Sequence, residues 1–398
     1  MSAIVKNHRL YSIFRGIKDR LHQHQFVCWI AGGAVRDFLL DRQVADFDLV
    51  TDATTEVLKK IFPEALLVGE SFGVLKIPIS AGEYMDLTSF RQESDYEDGR
   101  RPSHVSSSTP TQDSVRRDFT INALFWDDEG DRIVDYQGGR GDIELKALRC
   151  VGDANTRFSE DYLRILRLLR FEAVLGFQVE EKTYHAALRA VSGISRISGE
   201  RIWAELKKIE GIKPQNGNLD KAWRNVLSQE LGQEIFKSIL NPCSLNMERV
   251  LTAKHRLDLM VALYLLAEQE DLSGVLKSRL KLSRDELKEY QRTTHLLGDF
   301  SKKQLEEWAY EFEKDELLFQ RAKQLAEQGW IDENLILSAE KMLKNHSEPL
   351  LLAKEMLDLI PAPKIGLEQK EIRVLQMKGE LKDRAAALVY LKKKYAKI

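Results

Sequence analysis

The sequence predicts an α+β protein, with a mixed sheet and flanking helices through residue 141 and a wholly helical remainder. Three observations carry this. Short apolar runs bounded by Gly, Pro or Asp recur as far as Asp135, with the alternation of half-buried strands. From Ala154 onward the strand patterns vanish and apolar residues recur at helical spacing, as in Met260-Val261-Leu263-Leu265-Leu266. Between an apolar run and a helical stretch stand Gly32 and Gly33, followed by Asp46-Phe47-Asp48. Paired glycines at that junction let backbone approach a phosphate and present amides at a helix start.

Residues 1–25 read as one helix leading into the first strand. Strand candidates follow at Phe26–Ala31, Phe47–Thr51, Ala65–Val68, Val74–Ile79, Tyr84–Phe90, Ala123–Trp126 and Arg132–Asp135. Helix candidates are Ala34–Leu40 and Thr54–Ile61. Glu93–Gln112 is polar, contains Ser, Pro and Arg100-Arg101-Pro102, and reads as a long flexible loop. Breaks near Gly211–Asn218 and Asn241–Cys243 mark domain or subdomain edges.

The 398 residues exceed one ordinary domain. We divide them into a head (1–141), a neck (142–212) and a body with tail (213–398). Hydrophobic content of 43% allows sizeable cores. No apolar run is long enough to span a bilayer, and Met1–Tyr11 lacks a signal-peptide apolar region. Cys28, Cys150 and Cys243 are scattered without metal-ligand spacing, so they read as reduced thiols and the expected location is cytoplasmic. A net charge of −2 does not by itself indicate nucleic-acid binding. From Pro361 to Ile398, however, ten Lys or Arg face four Asp or Glu. That end reads equally as a footprint for phosphates or as a solvated helix end.

Asp46 and Asp48 lie two apart, so in a strand both carboxylates project to one face. Such a pair suits a hard cation like Mg²⁺ that also takes substrate phosphates. Arg36 falls in the first turn of the following helix and can reach the same anion. Asp86, in another alternating strand, is a candidate third carboxylate or an ordinary strand residue. Arg116 and Arg117 can clamp a triphosphate through bidentate guanidinium contacts. Asp118 and Asn122, four apart, face one way on a helical turn, although Asp118 also suits an N-cap. In Arg157–Phe171, at about 100° per residue, Glu160, Arg164 and Arg167 form one stripe, opposite Tyr162, Ile165, Leu166 and Leu169. Asp161 and Arg164 are i,i+3 neighbours. An amphipathic helix with surface ion pairs accounts for this, and so does a template for reading a base.

Ala31–Asp48 resembles the polymerase-β-like nucleotidyltransferases, and within them the class II (bacterial-type) tRNA nucleotidyltransferase/poly(A) polymerase family. Arg116-Arg117-Asp118-Phe119-Thr120-Ile121-Asn122-Ala123 is similar to a second motif of that family. Glu160-Asp161, followed at intervals of three by Arg164, Arg167, Arg170 and then Phe171, resembles the motif of its CCA-adding members. Asp135–Gly139 resembles the family's hinge between head and neck, and Ile197–Leu206 its neck-stabilising segment.

The resemblance implies a polymerase-β-like head on an all-α neck, body and tail. It implies template-independent addition of C and A to the tRNA 3′ end, from CTP and ATP with Mg²⁺. Asp46, Asp48 and Asp86 would be catalytic, the first two as metal ligands. Gly32, Gly33, Arg36, Arg117, Asp118, Asn122, Glu160, Asp161, Arg164, Arg167 and Arg170 would bind nucleotide. Asp161 would accept from the exocyclic amino group of C or A and Arg164 would donate to the ring nitrogen, contacts that U and G reverse. Glu160 would hold the Arg164 fork. A poly(A) polymerase or an A-only enzyme shares most of these motifs, and a catalytically dead RNA-binding protein fits worse because the acidic and basic residues are intact. Glu93–Gln112 argues against a CC-only enzyme and is expected to govern the switch from C to A.

Overall fold

The apolar run ending at Ala31 forms β1 (Trp29–Ala31), and its hydrogen-bonded neighbours are distant in sequence. The computed structural model describes residues 2–68, 73–80, 82–96, 102–211, 219–240, 245–267, 271–357 and 359–395, without the side chains of 2, 3 and 93–105. The chain divides into two compact units, Met1–Leu251 with Val275–Lys281, and Thr252–Gly274 with Leu282–Ile398. The expected edges at 141/142 and 212/213 both fall inside the first unit.

The first unit is built on a seven-stranded sheet. Besides β1 it contains β2 (Asp48–Thr51), β3 (Leu66–Val68), β4 (Val74–Ser80) and β5 (Glu83–Ser89). Beyond the separate pair β6 (Arg91–Tyr96) and β7 (Pro102–Ser107), β8 (Leu124–Asp127) and β9 (Arg132–Asp135) complete it. The order is β3-β4-β5-β2-β1-β8-β9. β2 and β5 run parallel, which sets Asp48 opposite Asp86, and the other pairs of the sheet are antiparallel.

Each face of this sheet carries its own apolar cluster, and period-2 alternation sorts the residues between them. On one face Phe14, from helix Tyr11–Gln23, packs 6.2 Å from Trp126 and 6.5 Å from Phe47. Ala31, Val50, Phe90 and Phe125 form a cluster on the other. Asp48 is two residues before Val50 and therefore shares the second face. The predicted strands are recovered within three residues at each end. Helix Thr55–Ile61 begins where Thr54 accepts the Val57 N–H.

The structure corrects several expectations. Residues 1–25 form two helices, Ser2–Lys6 and Tyr11–Gln23. The described part of Glu93–Gln112 is no loop: β6 and β7 pair antiparallel, and Thr109 with Gln112 caps helix Pro110–Val115. A hairpin satisfies its backbone across the strands whatever its side chains, so a polar sequence does not exclude it. Arg100 and Arg101, like most of Gly211–Asn218 and Asn241–Cys243, lie outside the described residues. Gln178–Val179 pairs in parallel with Ala147–Leu148, so strand structure persists past Ala154.

The expected continuous helix through Arg157–Phe171 is broken. Helix Ala154–Glu160, capped by Asp153, stops at an extended Asp161 (φ −147°, ψ 103°), and helix Leu163–Leu175 follows. Asp161 accepts the Leu163 N–H at 3.1 Å, the local bond by which Asp competes with a helix interior. The Tyr162 ring fills the place of a side chain at Gly193, where a Cβ would lie 2.1 Å from it.

The second unit is helical among its described residues. Its helix Leu259–Leu266 is apolar almost all round and buried almost throughout. At its start Asp258 caps Val261 N–H and meets Arg321 at 2.9 Å. A separate cluster of Leu351, Met356, Ile360, Ile372, Leu381, Ala387 and Leu391 closes the C-terminal end.

Candidate active site

The acidic end of the site follows from strand register. Phe47 turns into the core at 1% exposure, which leaves Asp46 and Asp48 on the open side. Asp48 and Asp86 are direct partners on β2 and β5. Asp48 faces solvent, yet the protein density around it pushes its carboxyl pKa up; Arg117 opposes this, while Asp86 and Asp46 reinforce it. Asp86 is bound at 2.8 Å by Lys76, its partner on β4. Three carboxylates therefore share one field at the end of the central strands.

Arg117 closes this end. Its guanidinium lies 4.8 Å above the Phe125 ring, on the Asp48 face, and donates to the Asn122 carbonyl at 3.1 Å. Gly32 makes that position possible. It has φ +67°, and a Cβ there would sit 2.9 Å from Arg117 Nη1. The Gly32 N–H is not presented to a phosphate as expected, because it donates to the Leu124 carbonyl at 2.8 Å. Gly33 begins helix Gly33–Leu39. Arg36 stands on that helix with its Nη2 3.6 Å from where a Gly33 Cβ would lie. It is buried, donates to Asn122 Oδ1 at 2.6 Å and pairs with Asp37 at 2.8 Å.

Asp118 and Asn122 meet as expected, through Asn122 Nδ2 donating to Asp118 Oδ1 at 3.0 Å across the turn Thr120–Asn122. Burial pushes the Asp118 carboxyl up, but the Arg167 guanidinium, the Asn122 amide and the Phe119 N–H outweigh it and hold it at about 2. Arg167 grips Asp118 with Nε at 2.7 Å and Nη2 at 2.6 Å. Arg170 donates to Glu205 at 2.7 Å. The guanidiniums of Arg36, Arg167 and Arg170 lie 4.2–5.3 Å from the ring of Phe171. An aromatic face attracts each cation and separates them from one another.

At the helix break, Glu160 and Arg164 pair at 2.7 Å as expected. Arg164 also donates to the carbonyls of Arg157 at 2.7 Å and Arg116 at 3.0 Å, which fixes its plane. Asp161 departs from its expected i,i+3 partnership with Arg164. Its extended backbone turns the carboxylate to Arg201 at 3.1 Å. Among the described residues, Arg201 Nη1 is buried without a hydrogen-bond partner.

The family profile described as the poly A polymerase head domain matches residues 28–149. The CCA-adding enzyme of Lactococcus lactis subsp. cremoris (strain MG1363) is 32% identical over 393 residues, with 94% of both chains covered. This chain belongs to the CCA-adding enzyme family. The family's Bacillus cytotoxicus member is 41% identical over 194 residues, 48% of each chain. The solved CCA-adding enzyme of Bacillus stearothermophilus in complex with CTP superimposes with a TM-score of 0.75 at 24% identity, covering 98% of this chain and 100% of that one. The Thermotoga maritima CCA-adding enzyme complexed with tRNA gives 0.67 at 21%, covering 98% and 96%. At those identities the superpositions establish the fold, a polymerase-β-like head followed by helices. The chain is a nucleotidyltransferase, of a family whose chemistry calls for a divalent metal. No described helix is long and apolar enough to cross a membrane.

Sequence reasoning missed Lys76, Asp113 and Arg201, which hold Asp86, the Arg116-Arg117 pair and Asp161 respectively. Lys76 is the charged position between the buried Leu75 and Ile77 of β4, a signal in plain view. Arg201 stands in the segment read as neck-stabilising, and nothing local indicates its partner.

Proposed function

We propose that this CCA-adding family member builds and repairs the 3′-terminal CCA of tRNA from CTP and ATP, releasing pyrophosphate. The observation that carries this reading is the in-register pair Asp48 and Asp86 facing Arg117, in a chain matching a CCA-adding enzyme over 94% of its length. The reading places the protein in the cytoplasm with its tRNA.

Mg²⁺ fits the donor set, because Asp46, Asp48 and Asp86 offer only carboxylate oxygens. Among the described residues no group of three His, Cys, Asp or Glu side chains stands at metal-cage spacing. Asp46 and Asp48 are therefore the proposed ligands, and Asp86, paired with Lys76, is the catalytic carboxylate beside them. Held there, Mg²⁺ would supply the charge that activates the primer 3′-hydroxyl and neutralises the triphosphate. Arg117 pairs with triphosphate oxygens, and Gly32 keeps the backbone clear of its guanidinium. Asp118 and Asn122, fixed by Arg167 and Arg36, address the sugar. Asp161 accepts the amino group of C or A while Arg164 donates to the ring nitrogen, a selection that needs no nucleic-acid template. Arg201 sets the orientation of the Asp161 carboxylate.

One assay tests the reading: offer tRNAs ending before CCA, after C and after CC, with each nucleotide separately and together. Extension of all three to CCA and no further is expected. Extension only of the CC-ended tRNA, or a run of A beyond the terminus, overturns it in favour of A-only or poly(A) synthesis.

A further inference from the structure

Asp113 is a carboxylate with 0% exposure, and its two oxygens collect five N–H groups. Oδ1 accepts the Arg91 backbone N–H at 3.2 Å and lies 2.9 Å from Arg116 Nε and 2.7 Å from its Nη2. Oδ2 accepts Arg117 Nε at 3.1 Å and Nη2 at 2.9 Å. Each oxygen thus takes one whole guanidinium edge. Burial pushes the carboxyl up, but Arg117, Arg116 and the Arg91 N–H together bring it below its ordinary value.

Three consequences follow from that geometry. Two consecutive arginines repel each other, and a buried anion between them removes half of that charge while fixing both forks. Arg117 has one side taken by Asp113, so its Nη1 is held at the Asn122 carbonyl and above Gly32, the posture that brings it to bear on Asp48. Arg91 opens β6, and Ser108 N–H donates to the Phe90 carbonyl at 2.8 Å, so the same carboxylate ties the root of the β6–β7 hairpin to the arginines.

We propose that Asp113 is the positioning residue of the triphosphate clamp, setting the Arg117 guanidinium against the acidic strand ends and coupling it to the hairpin root. The proposal rests on the reading of Arg117 as a triphosphate contact. A side chain that only filled space would influence folding and leave phosphate affinity alone. An amide at this position supplies one acceptor oxygen and turns an NH₂ toward a guanidinium, so one arginine loses its anchor.

The test measures competitive inhibition of nucleotide addition by inorganic tripolyphosphate, a probe without base or sugar, in the full-length protein. Asp113→Asn should weaken this inhibition roughly tenfold, the scale of one charge-assisted contact. The KM for both CTP and ATP should rise by a similar factor, with tRNA affinity unchanged. Circular dichroism checks the fold. If Asp113→Asn does not fold, Asp113→Glu carries the test, since it keeps the charge and only displaces the carboxylate. A folded variant with inhibition within about twofold of wild type overturns the proposal. Arg117→Ala separates the two levels of the argument. If it leaves tripolyphosphate inhibition intact, the clamp reading falls and the proposal with it. If it weakens inhibition while the Asp113 variants do not, the proposal alone falls.

Discussion

Replacing Asp118 with Asn removes a charge that the fold has built around. The carboxyl is held at about 2 rather than the ordinary 3.8, although it is buried. That gap, at about 1.4 kcal/mol per pH unit, corresponds to about 2 kcal/mol of stability supplied by the ionised form. Because the folded value lies below the unfolded one, the contribution is fully present above about pH 4 and is lost as the pH falls toward about 2. Asp118→Asn also strips Arg167 of the carboxylate that it grips through two nitrogens. Removing one member of a buried pair costs about 3–5 kcal/mol. The Arg167 side chain is 30% exposed, so water recovers part of this and the lower end applies. Urea unfolding of wild type and variant from pH 8 to pH 3 gives the test. The wild type should be more stable by about 2–3 kcal/mol, constant from about pH 8 to 5 and narrowing below about pH 4. A difference under about 0.5 kcal/mol at neutral pH, or one that decays between about pH 7 and 5, refutes the reasoning.

Asp48→Asn and Asp46→Asn should each lower turnover by at least about a hundredfold while leaving tRNA affinity nearly intact, measured by single-turnover addition and filter binding. Turnover within about tenfold of wild type removes the metal assignment. Asp161→Ala and Arg164→Ala should let UTP and GTP compete measurably with CTP and ATP, since a matched pair of base contacts contributes about 1–3 kcal/mol of discrimination. An equal loss with all four nucleotides makes these residues supports instead of readers. Lys392, Lys393 and Lys394 are all exposed, but Lys394 is committed to Glu368 and Glu371. Lys392→Ala with Lys393→Ala should lower the salt slope of tRNA binding by roughly one per lost phosphate contact, and Lys394→Ala should chiefly destabilise the C-terminal helices.

How much of this was legible depends on the distance over which each residue finds its partner. Strand alternation from Phe47 to Thr51 put Asp46 and Asp48 on the open side because Phe47 must be buried, a decision made within three residues. The Gly32–Gly33 junction was readable for the same reason, since positive φ is a local demand. The purpose of Gly32 was not readable. Its amide is spent on Leu124, and its missing side chain makes room for Arg117, 85 positions later. The helix periodicity through Arg157–Phe171 failed at Asp161, where a side chain bonding its own neighbourhood overrode a pattern that apolar spacing alone cannot arbitrate.

The basic residues show the same division more sharply. Their spacing placed Arg164, Arg167 and Arg170 on one helix, and they do share helix Leu163–Leu175. Their targets are Glu160 and Arg116 for the first, Asp118 for the second and Glu205 for the third, so three residues of one motif serve three different jobs. Partner choice here follows from burial. A guanidinium taken out of water requires a carboxylate or a carbonyl, and tertiary packing decides which one lies within reach. Asp113 is the extreme case. Three residues before Arg116 it reads as an ordinary acidic residue in the first turn of a short helix. Only its complete burial turns it into the anion that both arginines must share.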